Sequence, residues 1–424
     1  MALRKEGDGM LRFAYIQSLQ DVAADQWDAL NPPSLLSHAF LSALEDSQAV
    51  QRARGWQAQH LLAFAQDRLV GALPLYIKYH SMGEFVFDFA FMRAYAAQQL
   101  AYYPKLLAMV PFTPATTPRL LTHPAQPREL LIPALLQTLG QTAQDYSSMH
   151  ALFLPEADVP DWTQRGYLTR IDCQFHWHNR GYRDFDDYLE SFSSDKRKKA
   201  KRERRRVLEM GIELEWRRAD ALSESEWQRV YALKRQTFLR HGHEPYLPLQ
   251  FFTQLRATCP DVVWVNLAKH GQEIVAAAIF FKSHDTLYGR YWGAIDAIHS
   301  LHFEVCYHQG IEFCLTHGLT RFEPGTQGEH KIARGFSPTL TQSVHRFNHP
   351  GFQAAAVDYF AAERANVQLY MQQANELKPF KRQHSQESQA WQDATSEPLS
   401  LTPLDVTAPA VTERAPSKPD PNQA

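Results

Sequence analysis

No apolar run in this chain approaches the ~18 residues that a membrane span requires. The amino terminus, MALRKEGDGMLRF, carries no apolar stretch of the signal-peptide kind, so a cytoplasmic protein is expected. Cysteine is scarce: Cys173, Cys259, Cys306 and Cys314 are the whole complement, without a C-x-x-C pair. That usage suits a reducing compartment and excludes a disulfide-stapled fold. Also missing are G-x-x-x-x-G-K-[ST], G-x-G-x-x-G after a strand, H-E-x-x-H and G-x-S-x-G. P-loop nucleotide hydrolysis, Rossmann redox chemistry, zinc proteolysis and serine hydrolysis all lose support. Neither a metal nor a tightly bound cofactor is expected.

What is present is a chain of 424 residues, 44% hydrophobic and 12% aromatic, long enough for two middling domains and a tail. The pattern places an N-terminal module over 11–160 and a C-terminal module over 161–370, the latter including a basic helix at 194–210. Residues 381–424 are rich in Gln, Ser, Pro and Thr with scarcely an aromatic, which predicts a disordered tail.

The two modules read as copies of one plan. At an offset of 205 residues, LLAFAQDRLVGALPL (61–75) falls on NLAKHGQEIVAAAIF (266–280), two apolar strands joined by a polar turn. Leu62 falls on Leu267, and the same register carries 85–88 onto 290–293 and 101–103 onto 306–308, where each half is expected to begin a helix. Upstream, each half has a helix with a tryptophan, Trp27 or Trp227, and then an aromatic helix near Phe40 or Phe252. The order expected in each half is helix, helix, strand, turn, strand, strand, helix, strand, and 167–178 opens the second half as a strand.

Chemistry concentrates in RFEPGTQGEHKIARGF (321–336). Pro324 and the glycines 325, 328 and 335 allow tight turning and close approach to a ligand. Between them lie Glu323, Gln327, Glu329, His330, Lys331 and Arg334. Glu323 and Glu329 are possible bases, His330 is a titratable imidazole, and Lys331 and Arg334 are cations. Arg334 offers a bidentate contact to phosphate or carboxylate, and Gln327 a further polar contact. Tyr288–Gly293, YGRYWG, is either a plain core strand or one whose glycines let a ligand approach, in which case Arg290 and Tyr291 contact it, with Glu304 nearby.

Net charge is −2, yet nine of the eleven residues 196–206 are basic and one is acidic, leaving 35 basic against 45 acidic residues elsewhere. Two readings stand for this run. Lys198, Lys199, Arg204 and Arg205 contact RNA phosphates or a phosphorylated ligand, or the helix pairs with Asp184, Asp186, Asp187 and Glu190 just upstream. His176 and His178 share a strand face near Cys173, but no further ligand pair follows, so hydrogen-bonded structural histidines are the better reading.

SHAFLSALEDS, the stretch 71–78, YYPKLL, VPFTPATTPRLL, QFHWHNRGYRDFDDYL, the basic run, LYGRYWGA, LHFEVCYHQGIEFC and FEPGTQGEHKIARGF together resemble the FemAB-like group of predicted bacterial N-acyltransferases. Members are often described as peptidoglycan biosynthesis proteins. The resemblance implies an α/β (α+β) architecture of tandem GNAT-like acyl-CoA N-acyltransferase modules with mixed sheets. It also implies that Lys331 holds an anionic part of donor or acceptor. The R-x-x-G-x-G/A loop of acetyltransferases is not evident before Phe303, so acyl-CoA and aminoacyl-tRNA both remain as donor substrates. The expected partners are a small-molecule or peptide amine acceptor and, for the second donor, tRNA. Three functions follow: an N-acyltransferase, an aminoacyl-tRNA-dependent transferase, or a non-catalytic ligand- or RNA-binding protein that retains the fold.

Overall fold

Alternating apolar residues in both halves form β-hairpins, and these fix the rest of the architecture. The computed structural model describes residues 11–381 except Ala297, His299 and Gln327, so the expected tail beyond Lys381, like Gln327, lies outside the described residues. Its strands are β1 (Leu11–Ile16), β2 (Trp56–Ala58), β3 (His60–Ala65), β4 (Arg68–Leu73), β5 (Tyr76–Lys78), β6 (Lys105–Ala108), β7 (Leu121–Thr122) and β8 (Ser148–Leu154), then β9 (Leu168–His178), β10 (Ile212–Arg218), β11 (Val263–His270), β12 (Glu273–Lys282), β13 (Thr286–Ala294), β14 (Arg321–Glu323) and β15 (Ser337–Phe347). Four strands form one sheet, β1-β3-β4-β7, and eleven form the other, β10-β11-β12-β13-β14-β9-β15-β8-β6-β5-β2.

The 205-residue repeat is visible in the pairing. Leu62 opposes Ala72 and Leu267 opposes Ala277; the ladders slip at Ala63/Phe64 in one hairpin and at Ala268/Lys269 in the other. The turns match as well, with left-handed backbone at Gln66 and Gly271. A bulge and a turn at the same offset fix the same twist twice. Trp27 and Trp227 lie on helices Ala24–Asp28 and Glu224–Arg240, and Phe40 and Phe252 on helices His38–Asp46 and Leu249–Thr258. Phe40 meets the rings of Phe251 and Phe281 edge-on, so the halves share one hydrophobic core.

The register stops at the hairpin. Residues 85–88 are irregular while 290–293 lie within β13, and 101–103 lead into β6 rather than a helix. The topological counterpart of β13 is β6: β13 runs antiparallel to β12 and parallel to β14, and β6 runs antiparallel to β5, the strand after the first hairpin, and parallel to β8. An insertion at 79–104, holding helix Phe89–Ala97, separates β5 from β6 and breaks the offset. The expected order also omitted the opening strands β1 and β10, which complete the edge beside each hairpin.

The last strands cross over. β9 follows β8 in the chain but pairs with β14, and β15 follows β14 but pairs with β8; β9 and β15 pair with each other along nine residues, Ser337↔His176 to His345↔Leu168. A boundary at residue 160 therefore falls inside the short helix Val159–Thr163, and the sheet is continuous across it.

Candidate functional site

The parallel pair β13–β14 holds for only three residues, Thr286↔Arg321 to Tyr288↔Glu323, after which β14 ends and β13 continues to Ala294. Gly289 keeps the two chains close at the point of parting: a Cβ there would sit 3.1 Å from Pro324 Cα. Beyond it, Arg290 is the extra residue of a bulge, since Gly289 pairs with Phe280 and Tyr291 with Ile279. Among the described residues this stretch of β13 has no strand partner on its β14 side.

A cleft of about 450 Å³ fills that gap. Its floor is Ala278–Phe280 of β12 and Gly289–Trp292 of β13, and one wall is Pro324–Thr326 with Lys331. Further wall residues are His302, Cys306 and Tyr307 from the helical stretch 301–316, and the mouth is bounded by the inserted loop with Met82, Phe85, Phe87 and Phe89. Both halves thus contribute to one cleft, at the size range typical of small-ligand sites.

The glycine-spaced segment does not converge on this cleft as a set. Gly325 and Gly328 turn the chain with φ of 99° and 107°, and a short 3-10 helix, Glu329–Arg334, follows. Only Lys331 of that helix lines the cleft; its Nζ donates to the Gly325 carbonyl at 2.6 Å, and burial pulls its ammonium down to about 7. His330 stands just outside, its Nε2 2.8 Å from the Tyr307 hydroxyl, and burial lowers its pKa. Glu329 is exposed and accepts a hydrogen bond from Tyr370 at 2.9 Å.

Glu323 lies behind the cleft wall, 2% exposed, where its Oε2 accepts from the Thr116 amide at 3.3 Å. The Arg321 Nε is 3.2 Å from Oε1 but donates to Thr286 Oγ1, so Oε1 receives no hydrogen bond. Burial pushes this carboxyl up to about 7. Arg334 turns the opposite way: its Nη2 reaches both oxygens of Glu203 at 3.1 and 3.0 Å, Nη1 donates to the His330 carbonyl, and the guanidinium lies 3.4 Å from the Phe303 ring centre. It ties the basic helix to the turn.

Glu304 likewise serves the basic helix, accepting from Arg204 Nε at 3.1 Å, while Arg204 Nη2 reaches Glu312 at 2.6 Å. Arg204 also lies over Phe185, 4.3 Å from its ring centre, so it is an anchor and not a free phosphate contact. Arg205 pairs with Glu209 at 3.3 Å and Lys201 with Asp186 at 3.0 Å. Lys196, Arg197, Lys198, Lys199, Arg202 and Arg206 form no salt bridge among the described residues. Among the described residues one of the four upstream acids, Asp186, pairs with the helix, while Arg204 and Arg205 are held by Glu304, Glu312 and Glu209.

Arg290 and Tyr291 line the cleft. The Arg290 Nη2 donates to the Phe112 carbonyl of the first half, and its guanidinium lies beside Tyr291, 5.3 Å from the ring centre. His176 is a core histidine bonded to Gln174 at 3.0 Å, and burial drives its pKa well down.

Sequence reasoning missed a second group of ionisable residues, in the inserted loop. Lys105, wholly buried, bonds Glu84 at 2.7 Å, Ser81 at 3.1 Å and, closer still, Asp88. Ser81 donates to Asp88 at 2.5 Å, as does the Tyr102 hydroxyl. Lys78 sits 3.5 Å from the Trp56 ring centre and donates to the Met82 carbonyl; burial pulls it down to about 7. Ser81, Met82 and Gly83 of this loop line the cleft. The available signal was the unusual pairing of lysines with apolar strands, Lys78 in YIK and Lys105 in KLLA, where a lysine at a buried strand position demands a partner.

Among solved structures the chain is similar to FemX, with 11% identity, a TM-score of 0.50 and coverage of 81% of this chain and 99% of that one. It is also similar to a tandem GNAT protein from the clavulanic acid biosynthesis pathway, with 11% identity, a TM-score of 0.43 and coverage of 80% and 99%. No curated protein matches the chain. No helix among the described residues is long and apolar enough to cross a membrane. The tandem GNAT-like α/β architecture is the one this topology displays, and the profile of a family described as peptidoglycan biosynthesis/recognition matches residues 18–382; the chain belongs to that FemAB-like family.

Proposed function

We propose that this chain is an N-acyltransferase that moves an acyl or aminoacyl group from an activated donor to an amine, in cell-wall metabolism. One observation carries the reading: the 450 Å³ cleft opens where β14 parts from a bulged β13, exposing strand peptide groups beside a buried lysine. The donor lies along the free edge of β13, whose N–H groups past Gly289 stabilise the oxygen of the attacked carbonyl. The acceptor enters past Phe85, Phe87 and Phe89, and the walls hold both reactants at bonding distance. The donor is consumed as a substrate, and no resident cofactor takes part. A screen of acyl thioesters and aminoacyl esters against amines, read by mass shift, tests this. The reading fails if no pair reacts faster with the protein than without it.

A second donor class is favoured by one feature, the six cations of the basic helix that carry no salt bridge among the described residues. Aminoacyl-tRNA would meet them through its phosphates, and its affinity would fall steeply with salt. Filter binding of tRNA between low and physiological salt decides it; a flat or absent response removes tRNA and leaves the thioester.

A further inference from the structure

Among the described residues Lys331 has no carboxylate within salt-bridge distance, although it is 1% exposed. The groups around it come from three elements. β9 supplies His176, the stretch 301–308 supplies His302, Cys306 and Tyr307, and its own turn supplies His330. None is an anion. Burial holds the three histidines toward their neutral forms, His302 down to about 4, and pushes the Cys306 thiol and Tyr307 hydroxyl up. The one carboxylate of the turn, Glu329, is exposed and engaged by Tyr370. The only side-chain hydrogen bond of Lys331 among the described residues, to the Gly325 carbonyl, is one that a neutral amine can donate while keeping its lone pair.

Resting on the transferase reading, we propose that Lys331 works as a neutral amine that takes the proton from the acceptor ammonium, and does not hold an anion. The burial that pulls its pKa to about 7 agrees with this role. The acceptor R–NH3⁺ gives one proton to the Lys331 Nζ and becomes R–NH2, whose lone pair forms the C–N bond at the donor carbonyl. The carbonyl π pair moves onto oxygen and returns as the bond to the leaving sulfur or oxygen breaks. The second nitrogen proton goes to that leaving group, giving a thiol or alcohol. Lys331 releases its proton to water at the cleft, so the turnover yields amide, leaving group and one proton.

Two measurements test it independently. Nitrogen-15 NMR of the lysine Nζ atoms, with Lys331→Arg to assign the signal, needs no substrate; a midpoint near 7 is expected, against about 10.4 for an ordinary lysine. A midpoint close to the ordinary value overturns the proposal even if the transferase reading stands. With a reactive donor and amine in hand, Lys331→Arg keeps the positive charge and discriminates the roles. Proton transfer predicts that Lys331→Arg and Lys331→Gln both lose ~10²–10⁴-fold in kcat, and that added ethylamine restores part of the Lys331→Ala rate. An arginine variant with wild-type turnover assigns Lys331 to anion holding and overturns the proposal.

Discussion

The first half and the second carry the same hairpin, bulge for bulge, yet at the corresponding strand junction the first half is packed with paired charges and the second stands open. In the first half, Lys105 enters β6 already bonded to Glu84 and Asp88, and Lys78 lies close by on β5. In the second half the equivalent strand β13 starts with Thr286 and Leu287, and the lysine of the region, Lys331, meets a carbonyl in place of a carboxylate. A repeated hairpin therefore fixes a scaffold, and the chain that follows it decides whether the junction becomes core or cleft.

The sharpest way to break this comparison is Lys105→Met. It strands two buried carboxylates, and a loss of about 3–5 kcal/mol in urea unfolding is expected. A loss within surface-mutation range would mean that the cluster is solvated. Next comes Arg204→Gln, which leaves Glu304 buried beside Gln309 alone; about 1–3 kcal/mol is expected from the same unfolding curves.

Lys331→Met should cost little at neutral pH, because the charged amine has no anionic partner to lose. The folded-state pKa of Lys331 lies below that of the unfolded chain, so between about 7 and 10 the unfolded state binds the extra proton. Wild-type stability thus rises with pH across this window relative to Lys331→Met, by at most about 1.4 kcal/mol per pH unit. Parallel pH series of melting curves would show it, and a gap independent of pH would mean an ordinary lysine. The smallest effect belongs to Lys198→Gln with Lys199→Gln, expected within about 0.5 kcal/mol because both side chains are exposed without salt bridges.

The hairpins, their register and the tryptophan helices were legible because alternation and turn residues are local. The crossing of β9 and β15 was not, since a strand pattern says nothing about which of two similar edges it joins. The same limit applied to Arg334, Glu304 and Arg204. Each has the chemistry of a ligand contact, and each is claimed by a partner at least a hundred residues away in the chain. Glu203 takes Arg334 across 131 residues, and Arg204 takes Glu304 across 100. Lys331 survived as a cleft residue because its turn, fixed by the glycines, points it back at Gly325.

The exchange of β9 and β15 also governs how the protein comes into being. β8 is finished at Leu154, but the strand that covers its open edge ends at Phe347, so a growing chain carries an unpaired edge for nearly half of its synthesis. A ribosome-bound fragment ending near the middle of the sequence would be sticky, and cutting the finished protein between its halves would not separate them.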